Sequence, residues 1–177
     1  MFSQPLLEQA EQLLTLCRQH KLMIASAESC TGGLISALFT EIAGSSDVFE
    51  RGFVTYSNAA KSELLGVPVE LITQWGAVST QVAAAMASGA LSHSRADLSI
   101  SVTGIAGPGG GTSEKPVGLV HLAAALKNRP VIGKTCNFGA IGRSNIREAT
   151  IEAALELLYR SIEAGDSKAR DTQEARP

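Results

Sequence analysis

The chain has 177 residues, with 17 acidic and 15 basic side chains and a formal net charge of −2. That is enough for one domain with a real core, and it offers none of the basic footprint of a nucleic-acid binder. Hydrophobic residues at 45% exclude a disordered chain, while aromatics at 5% leave the interior to small aliphatic side chains. Apolar runs break well short of a membrane span, and the start MFSQPLLEQAEQ lacks the cationic and apolar segments of a secretion signal. Neither nucleic acid nor membrane is therefore expected as a partner, and the expected location is cytoplasmic. Cys17, Cys30 and Cys136 are odd in number and lack C-x-x-C or paired-His spacing, so reduced thiols are expected in place of disulfides or a metal site.

Ser3-Gln4-Pro5 opens a helix that Leu6, Leu7, Ala10, Leu13, Leu14 and Cys17 continue at helical spacing to about His20, with Ser3 as N-cap. Leu22–Ala25 reads as a buried strand. Small residues follow, then Glu28, Ser29, Cys30 and Thr31-Gly32-Gly33, and then an apolar helix from Leu34 to Ile42. A strand that restarts as a helix leaves free backbone N–H groups at its crest, able to hold a phosphate or an oxyanion. Phe49–Tyr56 is a second strand, and Ser57-Asn58 caps a short helix over Ala59–Leu65. Another short helix covers Pro68–Gln74, and Ser79 caps a longer one over Gln81–His93. The small residues of that helix suit close packing on a sheet or a second subunit.

Asp97–Thr103 is a third strand, followed by the 13-residue loop GIAGPGGGTSEKP, whose backbone N–H groups can form an anion nest. Gly118–Leu126 and Val131–Phe138 are joined by a turn too short for a crossover and so pair antiparallel. Asn145–Ile162 is the last helix. The pattern predicts a three-layer α/β/α sandwich over residues 1–163 with a mixed, mostly parallel sheet of about five strands, and a disordered charged tail over 164–177.

Common catalytic signatures are absent. No glycine run fits a P-loop, the loop after the third strand opens no helix, and there is no G-x-S-x-G, S-x-x-K or H-E-x-x-H. His20 and His93 sit at helix C-termini and His121 lies within a strand, which leaves no natural triad. Four clusters remain. Ser29 is a candidate nucleophile or simply an N-cap for a helix starting at Thr31, with Glu28 a possible general base and Cys30 a possible thiolate. Tyr56 and Lys61 point toward one sheet edge, and a lysine becomes a base only if burial or charge lowers its pKa. The third is the run from Thr103 to Gly111. The last is the pair Arg143 and Arg147 at a helix start, where cations oppose the helix dipole and a ligand role is favoured for one of them.

Taken in order, ESCTGG, YSNAAK, TGIAGPGG and GRSNIR resemble the C-terminal domain of the CinA (competence/damage-inducible) family over residues 5 to 163. The resemblance implies hydrolysis of nicotinamide mononucleotide (NMN) to nicotinate mononucleotide and ammonia by a serine–lysine pair without a cofactor or metal. It carries the nucleophile onto Ser29, the base onto Lys61 and an assisting tyrosine onto Tyr56. Substrate binding falls to Thr31, Gly32, Gly33, Thr103, Gly104, Ala106, Gly107 and Arg143. The N–H groups of residues 31–33 are expected to hold the oxyanion and the glycine-rich loop the substrate phosphate. A homodimer is expected. A nucleotide-binding domain without turnover, or a hydrolase of another small amide, remains open.

Overall fold

The structure, a computed structural model, describes residues 2–174, with side chains to Ala164. α1 (Gln4–His20) buries Leu6, Ala10, Leu13, Leu14 and Cys17 on one face. Ser3 caps it with its backbone only, its carbonyl accepting from the Leu6 and Leu7 N–H groups while its hydroxyl makes no capping bond. β1 is Ile24–Glu28 and is fully buried. It starts later than expected because Leu22 still closes α1, its N–H donating to Cys17 O, and it runs on through Glu28. α2 (Leu34–Glu41), a 3₁₀ turn (Ser45–Asp47) and β2 (Phe49–Val54) follow. α3 (Asn58–Leu65) and α5 (Thr80–Ser92) are capped by the Ser57 and Ser79 hydroxyls as predicted, with α4 (Val69–Trp75) between them. β3 (Leu98–Gly104), β4 (Leu119–Leu126), β5 (Ile132–Asn137) and α6 (Arg143–Glu174) complete the chain. The backbone of α6 is helical past Ile162 as far as Glu174, within the expected tail of 164–177, whose last three residues lie outside the described residues; Ala, Glu, Lys and Arg are strong helix formers.

The sheet order is β2-β1-β3-β4-β5. β1 pairs parallel with both β2 and β3, and β4 pairs antiparallel with β3 and β5, so four of the five strands run in one direction. On one face Ile24, Leu98, Ile100, Val102, Val120 and Leu122 pack against α1, α2 and α6. On the other, Ala25 and Ala27 meet α3, α4 and α5, and Ala123 and Ala125 meet Ala83 and Ala87 of α5. The small residues of α5 are thus used within the chain. At Gly89 any Cβ would collide with the Leu65 carbonyl, so α3 ends directly on α5. Hydroxyls of β3 also reach that helix. Ser99 donates to Ala87 O at 2.7 Å and Ser101 to Ala83 O at 2.6 Å.

The connection from β1 to β2 crosses one face through α2, and that from β2 to β3 crosses the other through α3–α5. The carboxyl ends of β1 and β3 therefore open into a crevice where the strand order reverses, the usual place for a ligand in an open α/β sheet. Among the described residues no helix is long and apolar enough to cross a membrane.

Candidate active site

At that crevice the chain leaves β1 at Glu28. The carboxylate is fully buried and accepts from the N–H groups of Gly33 and Ile35 at 3.0 Å and of Ser36 at 2.8 Å, and from the Ser36 hydroxyl at 2.7 Å. The Ser26 hydroxyl adds a fifth bond at 3.3 Å. Glu28 is therefore the cap of α2, which starts at Leu34. Ser29 is not its N-cap, and a general-base role for Glu28 does not fit a carboxylate whose oxygens are already engaged.

Freed from capping, the Ser29 hydroxyl meets Lys61, whose Nζ lies 3.1 Å away and also donates to Thr55 O at 2.8 Å. Lys61 sits one turn into α3 and is only 1% exposed, and among the described residues no carboxylate pairs with it. Burial without a counter-charge disfavours the ammonium form, so the pKa of Lys61 is lowered from its ordinary 10.5. The Cys30 thiol behaves oppositely. Burial pushes it up to about 11, despite its own N–H and that of Thr31 leaning toward the sulfur, so the thiol holds its proton at neutral pH.

Ser29, Cys30, Tyr56, Asn58, Lys61, Ala77, Val78, Thr103, Gly104, Ala106 and Arg143 surround a cleft of about 210 Å³. Seven of the sequence-derived site residues are among them: Ser29, Lys61, Tyr56, Thr103, Gly104, Ala106 and Arg143. Tyr56 stands at the mouth, 63% exposed, and its hydroxyl accepts from Arg143 Nη2 at 3.2 Å. Lys61 reaches Ser29 directly, so the pair needs no tyrosine between them. Arg143 Nη1 donates to Gly107 O at 2.9 Å and ties the glycine-rich loop to the mouth. Thr103 is buried, its hydroxyl donating to Ala77 O at 2.8 Å.

Thr31, Gly32, Gly33 and Gly107 do not line the cleft. The Gly32 N–H donates to Ser29 O and the Gly33 N–H to Glu28, so the oxyanion donors expected at residues 31–33 are already spent at both glycines. Arg147 Nη2 donates to Thr31 O at 2.6 Å and fastens the crest to α6. Asn58, Ala77 and Val78 were not foreseen. Asn58 was findable, since it stands three residues before Lys61 and shares its helix face. Nothing in the sequence marks Ala77 or Val78 beyond their place before the Ser79 cap.

Residues 7–162 match the CinA C-terminal domain, most of the chain. The chain belongs to the CinA family. It is 51% identical over 152 residues to a CinA-like protein of Colwellia psychrerythraea and 49% identical over 142 residues to one of Mycolicibacterium gilvum. These matches take in 85% and 80% of this chain but only 34% and 33% of the relatives, so the chain spans about a third of the length of the curated relatives it matches. Among solved structures, the competence/damage inducible protein CihA of Agrobacterium tumefaciens superposes with a TM-score of 0.88 at 53% identity, over 90% of this chain and 97% of that one. A CinA superfamily protein of Escherichia coli gives a TM-score of 0.83 at 29% identity, over 90% and 92%.

Proposed function

We propose that this CinA-family domain is an amidohydrolase that converts NMN to nicotinate mononucleotide and ammonia, with Ser29 as nucleophile and Lys61 as base. The observation that carries this reading is the Lys61 Nζ, buried, without a carboxylate and 3.1 Å from the Ser29 hydroxyl. Neutral Lys61 accepts the Ser29 proton while Oγ bonds to the carboxamide carbon. The same proton then goes to the departing nitrogen, ammonia leaves, and the acyl group stays on Ser29. Water hydrolyses that ester, Lys61 taking its proton and returning it to Oγ. The cationic pyridinium of the substrate and the nearby Arg143 both favour the neutral lysine. Arg143 and the glycine-rich loop suit the phosphate, the only strongly anionic part of this substrate.

The test is ammonia release from NMN by the purified chain, with Ser29→Ala and Lys61→Ala alongside. Turnover that vanishes in both variants supports the reading. NMN bound without turnover points to a nucleotide-binding domain, and turnover of other small amides alone moves the substrate.

A further inference from the structure

The glycine-rich loop sends one side chain across to the far wall of the cleft. Thr112 and Lys115 close a tight turn, the Thr112 N–H donating to Lys115 O at 2.8 Å and the Lys115 N–H to Thr112 Oγ1 at 3.0 Å. From this turn the Lys115 ammonium reaches the segment between α4 and α5, donating to Trp75 O at 2.7 Å and Val78 O at 2.8 Å. The two carbonyls between are also engaged, Gly76 O by the Ser79 hydroxyl at 2.9 Å and Ala77 O by the Thr103 hydroxyl at 2.8 Å. Four consecutive carbonyls are thus held by side chains. Among the described residues Lys115 has no carboxylate partner, so its charge is committed to these carbonyls. Gly76 leaves it room, since a Cβ there would lie 2.9 Å from Nζ.

A trans peptide points its N–H away from its C=O. Holding the Gly76 carbonyl by Ser79 and the Ala77 carbonyl by Thr103 therefore turns the Ala77 and Val78 N–H groups each away from the hydroxyl that holds its peptide. Neither N–H has an acceptor among the described residues, and both residues line the cleft with Ser29. At the crest the two glycine N–H groups are consumed, that of Gly32 by Ser29 O and that of Gly33 by the Glu28 carboxylate.

We propose that Lys115 is a positioning residue that fixes the 75–78 segment so that the Ala77 and Val78 N–H groups receive the substrate's amide oxygen as it becomes negative. This rests on the reading of Ser29 and Lys61 as nucleophile and base. As Ser29 Oγ bonds to carbon and its proton passes to Lys61, the carbonyl electron pair moves onto oxygen, and the two N–H groups stabilise it.

The experiment compares wild type, Lys115→Met and Lys115→Arg in ammonia release from NMN and in labelling of Ser29 by a small alkyl fluorophosphonate, whose phosphoryl oxygen needs the same donors. Trp75, the only tryptophan of the chain, reports movement of the segment by its emission. Lys115→Met is expected to lower kcat about a hundredfold with KM within about threefold, the loss that a displacement of about 1 Å brings. It also slows labelling by a similar factor and shifts Trp75 emission. Lys115→Arg, which still reaches two carbonyls, recovers about tenfold or more of the loss. A change in KM alone, or unchanged kcat and labelling, overturns the proposal. If Lys115→Met does not fold, Lys115→Gln carries the same comparison. Should wild type release no ammonia while labelling still depends on Lys115, the substrate reading fails and the positioning role stands; if wild-type Ser29 is not labelled at all, both fall.

Discussion

The turn after β1 and the loop after β3 leave the same end of the sheet and belong to the same site, yet they are held by opposite means. The turn is fixed from within. A buried carboxylate collects five donors from its own segment, and Arg147 fastens the crest behind Ser29. The loop is exposed from Pro108 to Glu114 and is staked from outside by two cations, Arg143 at Gly107 and its own Lys115 on the facing segment. Bonds near solvent break and re-form at low cost, whereas buried ones open only with the fold around them. On the proposed reading, the nucleophile sits on the rigid turn and the part that admits a substrate on the adjustable loop.

The strongest way to sharpen this contrast is to remove the chemistry and keep the turn. Ser29→Ala is expected to cut turnover about 10⁴-fold or more while leaving the melting temperature within about 2 °C; a loss of fold would place Ser29 among the structural residues. Breaking the turn itself comes next. Glu28→Ala leaves three backbone N–H groups without their acceptor, a cost of about 3 kcal/mol or more, read as a fall in Tm of about 6–12 °C. An unchanged Tm would mean water replaces the carboxylate, and the rigid half of the comparison collapses. On the loop side, Arg143→Ala is expected to raise KM for NMN about tenfold with little change in Tm, and a large drop in Tm would show that the loop is structural after all. Cys30→Ala, the smallest change, should alter kcat by no more than about threefold, because a thiol with a pKa of about 11 is not the nucleophile at neutral pH.

Acidity tests the contact that the rigid turn makes with Lys61 of α3. Burial lowers the Lys61 pKa below 10.5, and only the deprotonated amine accepts a proton from Ser29. Therefore kcat/KM rises with pH through that lowered pKa and is lost as pH falls below it. A pH–rate profile that fell with rising pH over this range would assign the work to the ammonium form.

Much of the fold was legible in the residues themselves. Helical spacing in α1, the Ser57 and Ser79 caps, and the short turn forcing β4 and β5 antiparallel all follow from local rules that act within a few positions. The pairing of Ser29 with Lys61 came from the resemblance carried by motifs such as ESCTGG and YSNAAK, and the structure sets Lys61 Nζ 3.1 Å from the Ser29 hydroxyl. What misled was the crest, where a serine before a helix looks like a cap. The cap came instead from Glu28, one residue earlier, and whether a side chain turns back or forward depends on burial that spacing does not encode. The far wall of the cleft was invisible for a similar reason. Ala77 and Val78 act through backbone groups, and their setting comes from Lys115 and Thr103, residues distant in sequence that long-range packing alone brings near.

The hydroxyls of β3 have a consequence of their own. Ser99 and Ser101 bond to successive turns of α5, and Thr103 continues the row to Ala77, just before that helix begins. These rungs, evenly spaced on the strand, make it a ruler against which the helix and the segment before it are measured along the helix axis. A slip of one turn, about 5.4 Å, would have to break every rung together, so the height of the cleft's far wall above Ser29 is dictated by the same strand that forms the cleft floor. Exchanging one serine for alanine should loosen the gauge without moving its zero, while exchanging two or more should let the wall drift and blunt the site with the sheet still intact.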